Sequence, residues 1–446
     1  MQQTMLRIRE LATRPASWTV ASGWLLRILT AAAQFYAVRI LTQSVGISGY
    51  AGFAILTGLL GWFMLADFGF GSSLQNYISQ KRVEGGDTVG SIASVFVLLL
   101  ISTILLSILW YAIAPWAGAT LLGNITGLNP DAAQTSFFLY AAFSTGAGAS
   151  AIALKIMFAE HRGYLAHLLS ATTVYVGVGA LALCHALKVS IDLPTAVILY
   201  GAPAWFIPTL YLAWYITRIQ QSARWIGRFD FAPIIRLWPR ARIFLLYTTF
   251  AALVLNVDYL VLSQTASADQ IAVYAVYTRI YALGFFIFSS VLSAYWPLLA
   301  EMLHRADSSA VRPMLHNCIL FGGAVMIAGA LFLYLFGQAV ADILSPSQHL
   351  ILPVYLIPFF TAYWLVRIWT DSYAMLLHSA NRTMVLCIVA PVQAILNLGL
   401  GYLGVTNFGI AGLLAGMTAS FVLTTGWILP VYVKRRVLSV GGVIKQ

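Results

Sequence analysis

Eight charged side chains fall inside long apolar stretches of this sequence, and five of them are candidates to bind a charged ligand. The five are Arg27, Arg39, Asp258, Arg279 and Arg367. A charged group costs about 2.5–3.5 kcal/mol at the centre of a membrane helix, so each needs a partner, a cavity or a route to the headgroups. Four of the five are arginines, whose planar fork of N–H donors stays charged and suits phosphate. The balance therefore favours an anionic substrate, such as a phosphate or an acidic sugar.

The sequence carries no motif for nucleotide, metal or covalent chemistry. The patterns GxxxxGK[ST], HExxH and GxSxG do not occur, and Cys184, Cys318 and Cys387 lie far apart without Cys/His spacing. We therefore expect no cofactor, no metal site and no disulfide framework, and we expect that the protein is not an enzyme.

The elements that must position these charges are apolar stretches of about 20 residues or more, each enough to cross about 30 Å of hydrocarbon. Hydrophobic residues make up 60% of the chain and charged residues 9%, against about 45–50% and about 25% in soluble proteins. We predict an all-α integral membrane protein with twelve transmembrane helices. The predicted spans are 17–43, 50–77, 91–114, 135–157, 165–187, 193–217, 243–266, 271–297, 315–338, 351–377, 384–404 and 408–433.

The basic residues between the spans fix the orientation. Nineteen of the 25 Lys and Arg fall in one alternating set of gaps and termini, and the opposite set carries only Lys188. The positive-inside rule places the nineteen on the cytoplasmic side, so both termini are predicted to be cytoplasmic. The net charge of +11 then reflects topology and contact with membrane lipids, and nucleic-acid binding is not expected because the basic residues are scattered.

Depth along the predicted spans sorts the arginines. At about 1.5 Å per residue, Arg27 lies about 15 Å from the cytoplasmic start of the first span, and Arg279 about 12–14 Å below the outer end of the eighth. Both are near the midplane, and Arg27 is the strongest candidate for a substrate pathway. Arg39 is near the outer rim, where contact with lipid headgroups is an equal alternative.

The remaining charges have structural alternatives. Asp258 and Arg279 lie at similar depth in one hairpin, so an ion pair between them is as well supported as a binding role. Arg367 and Asp371 are four residues apart, which predicts a pair on one helix face. Asp67 precedes Phe68 and Gly69, and could cap or kink the inner end of the second span.

A polar segment divides the spans six and six. Residues 218–242 hold six arginines interleaved with aromatic and aliphatic residues, a composition typical of a helix in the cytoplasmic membrane interface. We therefore predict two six-helix halves, 1–217 and 243–446, joined by the amphipathic cytoplasmic linker 218–242.

Two local motifs resemble the polysaccharide transporters of the multidrug/oligosaccharidyl-lipid/polysaccharide (MOP) superfamily, and specifically O-antigen flippases. Gly46-x3-Tyr50-Ala51-Gly52-Phe53, followed by Asp67-Phe68-Gly69, is similar to that family's Gly-x3-Tyr-Gly-x-Phe and Asp-x-Gly, with Ala51 as an extra residue. Asn397, Gly404 and Phe408-Gly409-Ile410-Ala411-Gly412 resemble its Asn…Gly-x2-Gly-x-Ala signature.

The resemblance implies a MOP/MATE-like fold and a flippase. It would move an undecaprenyl-diphosphate-linked oligosaccharide across the bacterial inner membrane by alternating access, with the diphosphate and sugars crossing a lumen between the halves. Related flippases place arginines on the first and eighth helices, in positions comparable to Arg27 and Arg279. A polysaccharide polymerase and a chain-length regulator are the partners that this role implies.

Three alternatives remain open. A multidrug or cation antiporter of the same superfamily would share the fold, but a cationic interior disfavours it. A polysaccharide polymerase or ligase would be expected to carry a large Arg-rich external loop. A lipid II flippase would be expected to continue beyond a twelfth span.

Overall fold

In a computed structural model the regular elements of the described residues are all helical. These residues are 15–84, 88–160, 162–220, 230–304, 308–346, 350–380, 382 and 384–438. The predicted cytoplasmic termini and residues 221–229 of the predicted linker lie outside them. The helices are α1 (Pro15–Ser44), α2 (Gly46–Gly58), α3 (Leu60–Phe63), α4 (Phe70–Glu84), α5 (Val89–Leu122), α6 (Pro130–Ser150), α7 (Ile152–Ala159), α8 (Gly163–Ala186), α9 (Leu193–Gln220), α10 (Phe231–Leu255), α11 (Val257–Thr265), α12 (Ala268–His304), α13 (Ser308–Leu344), α14 (Ile357–Ser379), α15 (Met384–Leu423) and α16 (Thr425–Arg436), with 3₁₀ turns at Met64–Asp67 and Val354–Leu356.

Ten helical stretches of the described residues are long and apolar enough to cross a membrane, so the chain is a multi-pass membrane protein. They are Leu25–Ser44, Gly46–Asp67, Val89–Leu122, Pro130–Ala159, Gly163–Ala186, Leu193–Arg218, Phe231–Thr265, Ala268–Leu292, Ala310–Leu344 and Met384–Arg436. Two differences account for the number of spans being ten and not the predicted twelve. Met384–Arg436 takes in two predicted spans, and α14, the predicted tenth span, is not among the ten.

The chain reverses direction inside α15. Gly409 has φ 60° and ψ −146°, a conformation that only glycine adopts readily. On either side of it the helix backbones approach closely, because a Cβ at Gly412 would lie 2.0 Å from the carbonyl oxygen of Gly404. Further along, Ser420 Oγ donates to Asn397 Oδ1 at 3.2 Å. Residues 384–408 and 410–423 therefore form an antiparallel helical hairpin, as the predicted break between spans eleven and twelve requires.

The predicted second span, 50–77, is wrong at its C-terminal end. Phe68 and Gly69 have positive φ values of 48° and 75°, which end the helical run at Asp67. Asp67 Oδ1 accepts a hydrogen bond from the Gly69 amide at 2.8 Å, so this carboxylate stabilises the turn that ends the span. Residues 70–84 form the separate helix α4, which is too polar to continue the span.

The second half of the predicted linker is continuous with the seventh span. Residues 231–242 form the first half of α10 and not a separate helix. They pack through Leu237 and Ala241, both buried, while Ser73 Oγ donates to Leu237 O at 3.0 Å. A Cβ at Gly69 would lie 2.2 Å from Ala241 O, so this glycine admits the backbone of α10.

The chain divides into two compact units, Met1–Thr249 and Phe250–Gln446. The first contains α1 to α9 and most of α10, and the second contains α11 to α16. The predicted boundary segment, 218–242, lies just before this division, and the two six-helix halves stay a prediction.

Candidate functional site

Arg27 lies on the face of α1 that packs against protein. Gly23, Ala37 and Leu41 are buried on that face, and the helical repeat places Arg27 about 40° from Gly23 and about 20° from Gln34. The Arg27 side chain is nevertheless exposed. Arg27 is therefore on the packed side of α1 without being enclosed by protein.

Arg39 lies on a different face of the same helix. Leu25, Ile28, Leu29 and Tyr36 form its exposed apolar row, and Arg39 falls within about 60° of each apart from Leu29. Arg39 is itself exposed. Since apolar exposed rows of membrane helices face lipid, this placement favours the headgroup contact over a binding role for Arg39.

Arg27 has a neighbour that the sequence analysis did not identify. The Nε2 atom of His167 on α8 lies 3.0 Å from the position that a Cβ would take at Gly23, one helical turn before Arg27. The charge of Arg27 acts on this imidazole. The other side of the His167 ring meets Phe158, with the ring centroids 5.5 Å apart.

Arg279 is half-buried on α12, opposite a row of tyrosines. Tyr277 and Tyr281 stack on Phe360 of α14, with ring centroids 5.0 Å and 5.6 Å away. Arg279 is two residues from each of them, which turns it about 160° away from this packed face. Tyr277 and Tyr281 are therefore packed against α14.

Asp258 is hydrogen-bonded to Tyr274. The tyrosine hydroxyl donates to Asp258 Oδ2 at 2.5 Å, and the carboxylate is 5% exposed. Arg279 follows Tyr274 by five residues, so it lies about 7.5 Å further along α12 and about 140° around it. The ion pair of Asp258 with Arg279 stays a prediction, while the hydrogen bond from Tyr274 was missed because it depends on how two helices are rotated.

Arg367 is enclosed in the second unit. Its Nη2 atom lies 3.4 Å from Asp371 Oδ2, as the four-residue spacing predicts, and its Nη1 donates to the Tyr363 hydroxyl at 3.3 Å. Four aromatic rings lie within about 6 Å of the guanidinium carbon, a distance typical of cation–π contacts. They are Phe285, Tyr363, Trp364 and Phe421. Arg367 is only 8% exposed, and this burial favours a structural role. Substrate binding by Arg367 stays a prediction.

No group of three or more His, Cys, Asp or Glu side chains that could hold a metal ion occurs among the residues that the structure describes.

Comparison with curated proteins identifies relatives along nearly the whole chain. A protein of Yersinia pseudotuberculosis named for O-antigen export is 31% identical over 416 residues, which cover 92% of this chain and 94% of the relative. A Salmonella typhi protein named as an O-antigen transporter is 30% identical over 412 residues, with the same coverage. No protein-family model matches the sequence.

Solved structures share the fold. A multidrug resistance MATE family transporter of the MOP superfamily, in an inward-facing conformation, has a TM-score of 0.73 at 12% identity and covers 93% of this chain and 98% of its own. The lipid II flippase MurJ, in an inward closed conformation, has a TM-score of 0.67 at 14% identity, with coverage of 92% and 87%. The predicted MOP/MATE-like fold is therefore confirmed, while identities this low carry nothing about substrate.

Proposed function

Because this chain belongs to the family of O-antigen transporters, we propose that it moves a lipid-linked O-antigen repeat unit across the bacterial inner membrane. The observation that carries this proposal is the 30–31% identity to relatives named for O-antigen export or transport over 92% of the chain. The chain also shares its fold with the lipid II flippase MurJ.

The substrate is an oligosaccharide linked to undecaprenyl diphosphate. Its lipid tail stays in the bilayer, while the diphosphate must cross a region where an uncompensated charge is costly. Arginine side chains replace part of the phosphate hydration through paired N–H donors. Arg27 is the first candidate, because it is exposed on the packed face of α1, and Arg279 is the second. Alternating access exposes these groups to each side of the membrane in turn.

Twelve spans with both termini in the cytoplasm are part of the proposal. The hairpin at Gly409 and the 23-residue helix α14 support two spans beyond the ten. Orientation rests on the distribution of Lys and Arg. It is tested in a variant whose free cysteines, Cys184, Cys318 and Cys387, are replaced by serine.

Single cysteines are introduced in that background at Ser222 and at Asn129. A membrane-impermeant maleimide applied to intact spheroplasts is expected to label position 129 and not position 222. The opposite pattern would invert the proposed topology.

The multidrug antiporter is the second candidate, and the shared fold favours it. The multidrug transporter of known structure is 12% identical in sequence to this chain, whereas the relatives named for O-antigen export or transport are 30–31% identical. The candidate arginines, Arg27 and Arg279, also favour an anionic substrate over a cationic drug.

Deletion of the gene tests the proposed function. The deletion strain is expected to lose polymeric surface O-antigen and to accumulate lipid-linked repeat units that impermeant periodate does not reach in spheroplasts. Expression of this chain in the deletion strain is expected to restore surface O-antigen and to remove the accumulated repeat units. A defect in a polymerase or ligase would leave the repeat units accessible from outside, so accessible repeat units in the deletion strain would contradict a flippase.

A further inference from the structure

One face of α1 carries polar groups in register along its length. Arg27, Thr30 and Gln34 follow Gly23 at helical spacing, within about 60° of one another. This face packs against α8 and α9: the Tyr175 hydroxyl donates to Leu26 O at 3.4 Å, and Gln34 Nε2 donates to the Tyr200 hydroxyl at 3.5 Å. Polar groups on the packed side of a membrane helix mark a cavity or a substrate path more often than a lipid surface.

Gly23 sets the position of His167 on this face. The imidazole Nε2 would lie 3.0 Å from a Cβ at that residue, so any larger side chain would push the ring away from α1. Gly23 and Arg27 are four residues apart, which puts the imidazole edge about 6 Å along the helix axis from Arg27. The glycine therefore permits a nitrogen-bearing ring edge and a guanidinium to lie on the same face.

The two groups have complementary chemistry toward one ligand. Arg27 is a permanent cation with a fork of donors, and an imidazole nitrogen that bears hydrogen donates one more bond. The imidazole packs against Gly23, one helical turn before Arg27, so the two groups are neighbours along α1. A cation and a donor on one packed face attract an anion and not a second cation.

We propose that Arg27 and His167 together bind the diphosphate of the lipid-linked substrate, with Gly23 as the spacer that lets the imidazole reach it. This inference rests on the proposed function, which supplies the diphosphate. His167 is a second binding residue of the transport path, beside the arginine that charge alone identifies.

Packing is the competing role for His167, because its ring also meets Phe158 edge to face. The two roles separate in two substitutions. His167→Phe keeps a flat ring against Gly23 and Phe158 and removes the N–H donor. His167→Gln loses the ring and keeps an amide N–H at nearly the reach of Nε2.

The chain offers a matched control on the same pair of helices. His185 also belongs to α8 and also meets α1, where its Nδ1 lies 3.2 Å from Ser44 Oγ. It is exposed at the opposite end of the helix from His167. His185→Phe removes a histidine contact between α8 and α1 without touching the proposed site.

Native mass spectrometry of the purified full chain in detergent measures binding of polyprenyl diphosphate and, for comparison, of the uncharged polyprenol. We expect His167→Phe to raise the Kd for the diphosphate about tenfold, the value of one hydrogen bond to a charged group. His167→Gln is expected to stay within about threefold of the unmodified chain, since it keeps the donor. His185→Phe should leave both Kd values unchanged.

Gly23→Ala provides a second test if His167→Phe does not fold. The added methyl group displaces the imidazole of His167 without removing it. We expect weaker diphosphate binding and unchanged polyprenol binding. Diphosphate binding by His167→Phe at the unmodified level would overturn the inference and leave the proposed function standing. An equal loss for diphosphate and polyprenol would assign His167 to packing and overturn it as well. An unmodified chain with no preference for the diphosphate would overturn the proposed function itself.

Discussion

Arg367 and Asp371 form an ion pair on one face of α14, with Nη2 and Oδ2 3.4 Å apart. The Arg side chain is 10% exposed and the Asp side chain 32%, and the ring of Phe285 lies 5.0 Å from the guanidinium carbon. Since Phe285 belongs to α12 and Phe421 to α15, the guanidinium holds three elements of the second unit together. Its enclosure makes it a packing centre.

The pair predicts an asymmetry between single and double substitutions. Arg367→Leu leaves Asp371 without its partner, which should cost toward the lower end of about 3–5 kcal/mol because the carboxylate is partly exposed. Arg367→Leu with Asp371→Leu removes both charges and should recover much of that loss. The apparent Tm of the purified protein measures the loss in the single variant and the recovery in the double variant. Arg39→Leu, which removes an exposed arginine, serves as the control and should leave the Tm unchanged.

The hydrogen bond from Tyr274 to Asp258 carries the second prediction. Asp258 Oδ1 is buried without a hydrogen-bond partner among the described residues, so Tyr274→Phe would strand both carboxylate oxygens. We expect a marked fall in Tm and in folded protein, about 1–3 kcal/mol or more for a charged group. Adding Asp258→Asn removes the charge and should recover part of the loss. A double variant less stable than Tyr274→Phe would contradict this account.

The hairpin of α15 makes a prediction about glycine. A Cβ at Gly412 would lie 2.0 Å from Gly404 O, a backbone atom that moves only with its helix. Gly412→Ala should therefore separate the two helices and sharply reduce folded protein. Gly399→Ala, five residues before Gly404, is the control: nothing lies within 4 Å of its Cβ position. Equal tolerance of both substitutions, measured by size-exclusion chromatography, would show that the helices can part at little cost.

These contacts separate what the sequence could predict from what it could not. The Arg367–Asp371 pair was predictable because residues four apart on a helix meet whatever surrounds them. The bond from Tyr274 to Asp258 was not, since it depends on the mutual rotation of two helices. The break after Asp67 required Phe68 to adopt a positive φ, which a bulky residue rarely does and which its letter does not signal.

The faces of α1 were within reach of the sequence but were not used in predicting the site. Depth placed Arg27 near the midplane and Arg39 near the outer rim, but both remained candidates. The recurrence of Leu25, Ile28, Leu29 and Tyr36 at helical spacing marks one exposed apolar face, and the periodic repeat turns Arg27 about 120° away from Arg39. Position around a membrane helix therefore adds a second criterion to depth.

The last prediction follows from that difference in face. Arg27→Ala should abolish surface O-antigen with protein levels in the membrane near normal, because it removes a donor fork from the packed face of α1. Arg39→Ala should retain most surface O-antigen, since a side chain on the apolar exposed face contacts headgroups. Lysine at position 27 tests the geometry: substantial activity would mean that charge suffices, and little activity would mean that a two-pronged contact with phosphate is required. Lipopolysaccharide gels measure surface O-antigen, and membrane immunoblots measure the level of protein in the membrane. Loss of O-antigen in Arg39→Ala with full function in Arg27→Ala would reverse the assignment and place the substrate on the opposite side of this helix.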